Sequence, residues 1–294
     1  MFDTTAPRRL AAAAALAVAL GAGVLNAQAS AAPVTGAVRA SQPHDFDANG
    51  SPDLLARDGS GTLWRHEGNL PGVKVGAGWQ VYQWIEATGD IGGSAVGDVI
   101  GVDGGGYMWV HKGVGNGNFA AGRIRAESGW AFYKRLAAGS DVTGDGRPDI
   151  VAVDRYGILR VHAGTGRDTA PYVIDGRINA GTGWGVYTEI AAVGNIAGTT
   201  AGDLVARDAA GVLWLHAGKG DGTFAPRTRI GGGWNVYTQL VGIGDADRDG
   251  RPDMIARGST GTFLYKGTGN WKAPFAAPAR RDLVGGNPPY NTVA

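Results

Sequence analysis

The chain has 294 residues, of which 52 are glycine and none is cysteine, and its 27 Lys and Arg almost balance its 26 Asp and Glu. Near-neutral charge without a basic run argues against nucleic acid as a partner, and a cysteine-free chain needs some other staple than disulfides. At this length the glycines fit turns rather than disorder, because they recur at fixed places between apolar runs.

The chain opens with Arg8 and Arg9, an Ala/Leu/Val run from Leu10 to Leu25, and small residues at Ala27, Ala29 and Ala31. A basic start, a short apolar stretch and an Ala-x-Ala site are expected of a cleaved secretory signal over 1–31, which places the mature protein outside the cell. The paired arginines hint at twin-arginine export. A retained membrane anchor is the alternative, and it is disfavoured because the run is short and alanine-rich. Residues 32–44 read as a linker or strand, and no later segment is apolar for long enough to span a bilayer.

From Asp45 onward the chain repeats. Three nine-residue stretches place candidate metal-site residues in register: Asp45, Asp47, Asn49, Ser51 and Asp53; Asp141, Thr143, Asp145, Arg147 and Asp149; Asp245, Asp247, Asp249, Arg251 and Asp253. A hard cation such as Ca²⁺ takes six to eight oxygens at about 2.3–2.6 Å, and alternate positions of a tightly turned loop can converge on one point. A glycine at the sixth position permits the turn. About three Ca²⁺ sites are therefore expected, with the middle one weakened by Thr143. Degenerate copies begin at Asp90 and Asn195 and keep the terminal Asp98 and Asp203. The starts near 45, 90, 141, 195 and 245 lie about 50 residues apart, a spacing found in propeller blades.

Each loop is followed by an apolar run, such as Leu54-Leu55-Ala56. A second strand follows, ending in His66, His111, His162, His216 or Tyr265, and then a Gly-rich turn and a third strand. A Gly-Trp-x-x-Tyr element next opens another strand, at Trp79 and Tyr82, Trp130 and Tyr133, Trp184 and Tyr187, and Trp234 and Tyr237. Short β-branched and aromatic runs between turn signals predict antiparallel strands. Four strands per unit and five units predict an all-β fold, a five-bladed β-propeller spanning 45–294. Its four-stranded antiparallel blades are closed when the C-terminal strand joins the blade begun at Asp45. A strand near Val38 is the alternative closure, and Asn287 stands where a fifth tryptophan of this element would be.

Aspartate loops leading into a hydrophobic strand and a Gly-rich turn ending in Phe resemble FG-GAP or VCBS repeats, the propeller repeats of integrin α-subunit heads and many bacterial secreted proteins. That resemblance implies the propeller fold and calcium, and covers adhesion modules, lectins and domains attached to hydrolases. The Gly-Trp-x-x-Tyr element is more loosely similar to tachylectin-like five-bladed sugar binders.

No Gly-x-Ser-x-Gly elbow, His-Glu-x-x-His or phosphate loop is present, so catalysis has no motif behind it. The expected function is that of a monomeric binding module for an extracellular glycan or protein. A multivalent lectin is one alternative, and a hydrolase or lyase with a site at the channel mouth is the other. Carboxylates or histidines gathered in the channel would favour the latter. The Trp and Tyr of the four Gly-Trp-x-x-Tyr elements are the candidate ligand-binding residues, with blade packing as the competing role. The repeated histidines are expected to pack or hydrogen-bond within blades. Trp64, Trp109 and Trp214 are expected to be filler, and Arg57, Arg207 and Arg257 solvated or blade-bridging.

Overall fold

The computed structural model describes residues 43–281 and 290–294; the expected signal segment over 1–31, the region around Val38 and Asn287 lie outside them. Five four-stranded antiparallel sheets form a β-propeller. Blade 1 contains β1 (Asp53–Asp58), β2 (Leu63–Glu67) and β3 (Val73–Gly76), and β20 (Tyr290–Val293) completes it. Blade 2 is β4 (Tyr82–Gly89), β5 (Asp98–Asp103), β6 (Met108–His111) and β7 (Ile124–Glu127). Blade 3 is β8 (Tyr133–Ser140), β9 (Asp149–Asp154), β10 (Leu159–His162) and β11 (Ile178–Gly181). Blade 4 is β12 (Tyr187–Gly194), β13 (Asp203–Asp208), β14 (Leu213–His216) and β15 (Thr228–Gly231). Blade 5 is β16 (Tyr237–Gly244), β17 (Asp253–Gly258), β18 (Gly261–Tyr265) and β19 (Ala279–Arg281).

The inner strands β4, β8, β12, β16 and β20 pack beside one another in that order, so they form the channel wall. Closure comes from the C-terminus. Ala56 pairs with Val293 and Arg57 with Thr292, and Leu55 and Ala294 exchange two backbone hydrogen bonds of 2.9 Å. Joining first and last blades leaves no gap in the ring and no unpaired inner edge on blade 1.

Central strands such as β9 (Asp-Ile-Val-Ala-Val-Asp) are buried along their whole length, as expected for strands packed between two neighbouring blades. The Gly-Trp-x-x-Tyr element is the joint between blades. Gly78, Gly129, Gly183 and Gly233 take φ between 85° and 95°, a left-handed conformation that favours glycine. A 3₁₀ turn then begins at each tryptophan. Its backbone N–H donates to a turn of the blade before it, Trp79 to Gly61 O and Trp184 to Gly157 O at 2.9 Å each. Arginines add a second stitch. Arg57 Nη1 donates to Trp79 O (2.9 Å) and Tyr82 O (2.7 Å), and Arg207 and Arg257 reach the next blade in the same way. The blade-bridging reading of these arginines holds.

Candidate functional site

In blades 2 to 5 the nine-residue loops join the inner strand to the second strand, and in blade 1 the loop leads into β1. Their turns use left-handed backbone twice, at Ala48 and Gly50, Gly144 and Gly146, and Arg248 and Gly250. The terminal aspartates Asp53, Asp98, Asp149, Asp203 and Asp253 are all at most 1% exposed. Their oxygens are largely committed to the fold. Asp203 accepts from Ala197 N (2.7 Å) and Gly218 N (2.8 Å), and Asp98, Asp149 and Asp253 make the same pair of bonds to their own loop and to a glycine after the second strand. Burial raises Asp98, Asp149, Asp203 and Asp253 to about 6. The ninth position is thus a buried clamp between loop and turn, which explains its presence in the two degenerate copies.

Among the described residues, three acidic groups converge within 4.8 Å at two loops, Asp45 with Asp47 and Asp53, and Asp245 with Asp247 and Asp253. These two sets suit a hard cation, and in the first, Asp45 Oδ1 is buried without a hydrogen-bond partner. The middle loop does not gather Asp141, Asp145 and Asp149 in this way. There Asp145 faces Arg147 (3.3 Å), and the Thr143 N–H donates to Asp149 (2.8 Å). Asp249 likewise holds Arg251 (3.0 Å), and Asn49 Oδ1 accepts from Ser51 N (2.7 Å).

The two convergent loops differ in what already neutralises them. In the first, Arg65 lies between Asp47 (2.5 Å) and Asp53 (2.7 Å), with its side chain only 11% exposed. Asp53 has no bond of the kind the other terminal aspartates receive from a glycine; Arg65 takes that place. Burial first, and then the Asp47 charge, push Asp53 up to about 7 against the pull of Arg65. In the fifth loop Lys266 makes one contact with Asp247 (2.9 Å) and is nearly half exposed, so a cation could displace it far more readily.

The predicted ligand aromatics are buried. Trp79, Trp130, Trp184 and Trp234 are 1–8% exposed, and Tyr82, Tyr133, Tyr187 and Tyr237 are 3–9%. Each tyrosine meets the repeated His or Tyr of its own blade. Tyr82 bonds His111 Nε2 (2.8 Å), Tyr133 bonds His162 (2.7 Å), Tyr187 bonds His216 (3.0 Å), Tyr237 bonds Tyr265 (2.7 Å), and Tyr290 closes the series on His66 (2.9 Å). Desolvation lowers each of these histidines to about 4, so the rings are neutral at pH 7. The histidines serve hydrogen bonding within blades, as expected, and do not form the channel cluster.

In blades 2 and 4 the same framework opens into a cleft, of about 530 Å³ beside Trp79 and about 580 Å³ beside Trp184. Both have one construction. Arg123 stacks on Trp109 (3.8 Å) and donates to Tyr82 Oη (2.6 Å); Arg227 stacks on Trp214 (4.1 Å) and donates to Tyr187 Oη (3.0 Å). Each hydroxyl accepts from arginine and shares a second hydrogen bond with the neutral histidine. Phe119 and Phe224 form the apolar wall. Trp109 and Trp214 are therefore more than filler. Their indole N–H groups donate to Asp103 (2.8 Å) and Asp208 (2.9 Å) while one face carries a guanidinium.

A third concavity, about 330 Å³, is the channel. The residues two after each inner-strand tyrosine line it: Trp84, Arg135, Glu189, Gln239 and Thr292, with Glu86 and His44. Burial raises Glu86 to about 8, helped by the Glu189 charge, and raises Glu189 to about 7 against the nearby arginines 207 and 135. Glu86 and Glu189 occupy different positions of their repeats, so the internal alignment gave no signal for them. Both carboxylates accept backbone N–H bonds, from Ala138 and Leu240.

A closed ring of five four-stranded blades with acidic turn loops defines a β-propeller of the repeat-built kind. Residues 201–256 match the FG-GAP-like repeat, the family whose likeness the loops carry. Among solved structures, the chain is similar to a lectin from Agrocybe aegerita that recognises non-reducing terminal N-acetylglucosamine, at 19% identity over 80% of this chain and 64% of that one, TM-score 0.47. It is also similar to BBS1N, solved in complex with ARL6DN, at 10% identity over 78% of this chain and 63% of that one, TM-score 0.38. The chain thus spans a little under two thirds of each. No curated protein matches it.

Proposed function

We propose that this protein is an exported propeller that binds saccharide in the clefts of blades 2 and 4. The observation that carries the reading is the duplication: two clefts that share a Trp, Tyr, His, Phe and Arg framework, built from residues about a hundred positions apart. Packing alone does not require this set, since blade 3 closes with Arg160 paired to Asp154 (3.3 Å) and a buried Tyr172 in its place. An aromatic wall beside fixed polar groups suits a sugar ring, and two weak sites on one chain gain avidity for a polymer.

The Ala120→Trp/Ala225→Trp double variant would fill both clefts without touching the core. It should lose binding on a glycan array while melting at the wild-type temperature. Retained binding in that variant would move the site elsewhere.

Calcium belongs to the proposal as a support of the fold. Asp245, Asp247 and Asp253 would hold it, and the ion would supply the charge that lets these carboxylates converge. The first loop would take it only when Arg65 moves aside. The basic and apolar order of residues 1–31 supports export.

The channel carboxylates favour a second reading, acid–base chemistry on a glycosidic bond by Glu86 and Glu189. It ranks below binding because both groups are held by backbone N–H bonds and Arg135 and Arg207 act on Glu189. Turnover of a polysaccharide by pure protein, lost in Glu86→Gln and Glu189→Gln, would reverse the order.

A further inference from the structure

We infer that the clefts of blades 2 and 4 are selective for an acidic saccharide, with the guanidinium groups of Arg123 and Arg227 as the anion-recognising groups. The inference rests on the cleft reading above and adds the charge of the ligand.

Charge is the first ground. Arg123 is the charged group among the described residues lining the first cleft, Arg227 and Lys219 those of the second, and neither lining includes an Asp or Glu. The histidines add polarity but no charge, because burial keeps them neutral. A ligand entering either cleft meets a guanidinium and no acidic side chain in the lining itself.

Preorganisation is the second. Both arginines are exposed, yet each is fixed by a Trp face below and a Tyr hydroxyl beside it. The tyrosine bond uses one Nη1 proton and leaves the rest of the fork to donate. A planar guanidinium held this way matches a carboxylate bidentately and loses little side-chain freedom on binding. Asp103 and Asp208 are the nearest acids that act on these arginines. Their oxygens are already taken, Asp103 by Gly105 N, Tyr107 N and Trp109 Nε1, and Asp208 by Ala210 N, Val212 N and Trp214 Nε1. Neither arginine forms an ion pair among the described residues.

Repetition is the third ground. Blade 3, which lacks the arginine–tryptophan stack, is built differently. In blade 3 Arg160 replaces the tryptophan, and Arg177 turns to Ile174 O (3.1 Å). Two identical receptors for one carboxylate fit a ligand that repeats its carboxylate, which a polymer of uronic acid does.

The test uses the mature protein, tetragalacturonate, its fully methyl-esterified form as a neutral match, and a tetra-aspartate peptide. Titration calorimetry should show two sites per chain for the acid, about tenfold or more tighter than for the ester, and weakening as salt rises. The Arg123→Gln/Arg227→Gln variant should bind acid and ester alike, and Arg123→Lys/Arg227→Lys should keep part of the preference because charge remains without the fork. Equal binding of acid and ester by the wild-type chain would overturn the inference and leave the cleft reading standing. Absence of binding to any saccharide, here and on the array, would remove both. Peptide bound as well as the sugar acid would overturn the saccharide assignment. Both arginines are exposed, so melting curves of the glutamine variant should match wild type and certify its fold.

Discussion

Blades 1 and 5 differ from blades 2 and 4 in complementary ways. Blades 1 and 5 keep loops in which three carboxylates converge, and blade 5 has Phe263 where blades 2 and 4 have the tryptophan that carries the arginine. Blades 2 and 4 have lost the loop ligands at Ile91 to Val96 and Ile196 to Ala201, yet hold the complete cleft of Trp, Tyr, His, Phe and Arg. The shared residues, terminal Asp and buried Trp–Tyr pair, are the ones the fold itself uses. The variable ones, at loop positions 1 to 5 and at the arginine–tryptophan stack, are free to specialise a blade.

The largest effect should come from breaking what both kinds of blade share. Asp203→Ala, in a blade without a cation triad, leaves the Ala197 and Gly218 N–H groups buried and unpaired, which costs about 1–3 kcal/mol for each lost acceptor bond. Its melting temperature should fall by roughly 5–15 °C. A fall as small as that of an exposed substitution would show that the ninth position does not clamp loop to turn.

Calcium sharpens the contrast between the two convergent loops. At a hundredfold excess over its dissociation constant, one site adds about 2.7 kcal/mol, so chelator should lower the melting temperature by roughly 5–10 °C. Asp247→Ala should remove most of that response. Arg65→Gln should instead enlarge it, because loss of the guanidinium opens the first loop to a cation. An identical chelator response in wild type and Arg65→Gln would mean the first loop does not distinguish the two cations.

The smallest effect concerns the channel. Glu86 has a folded value of about 8, raised from its model-compound value of 4.5 chiefly by burial. A raised carboxylate binds its proton more tightly in the folded state, so its contribution to stability falls as pH climbs from about 4.5 to 8 and levels off above. Glu86→Gln removes this slope. Relative to wild type the variant should gain a few degrees in melting temperature between pH 5 and pH 9, and a flat difference would place Glu86 in a more hydrated setting.

Sequence periodicity made most of the architecture legible. Asp45, Asp90, Asp141, Asn195 and Asp245 recur at blade spacing, and Gly78, Gly129, Gly183 and Gly233 stand where the backbone must turn left-handed. These are local demands repeated five or four times, and repetition raises them above chance turn chemistry. The ring closure was also visible, because Tyr290 to Val293 continues the same pattern. The sites were less legible. Trp79 and Trp184 read as ligand platforms but are covered by His111 and His216 at 4.3 Å.

What the sequence determined by itself, then, is the strand order, the turns and the register of five blades, since each depends on residues adjacent in the chain. What only the tertiary structure decided is which side chains meet. Arg65 spans Asp47 and Asp53, Arg123 lies on Trp109, and Glu86 feels Glu189 across the channel. Those contacts join different strands and, in the channel, different blades. Their distances follow from how the sheets pack, a long-range property that no local spacing along the chain encodes.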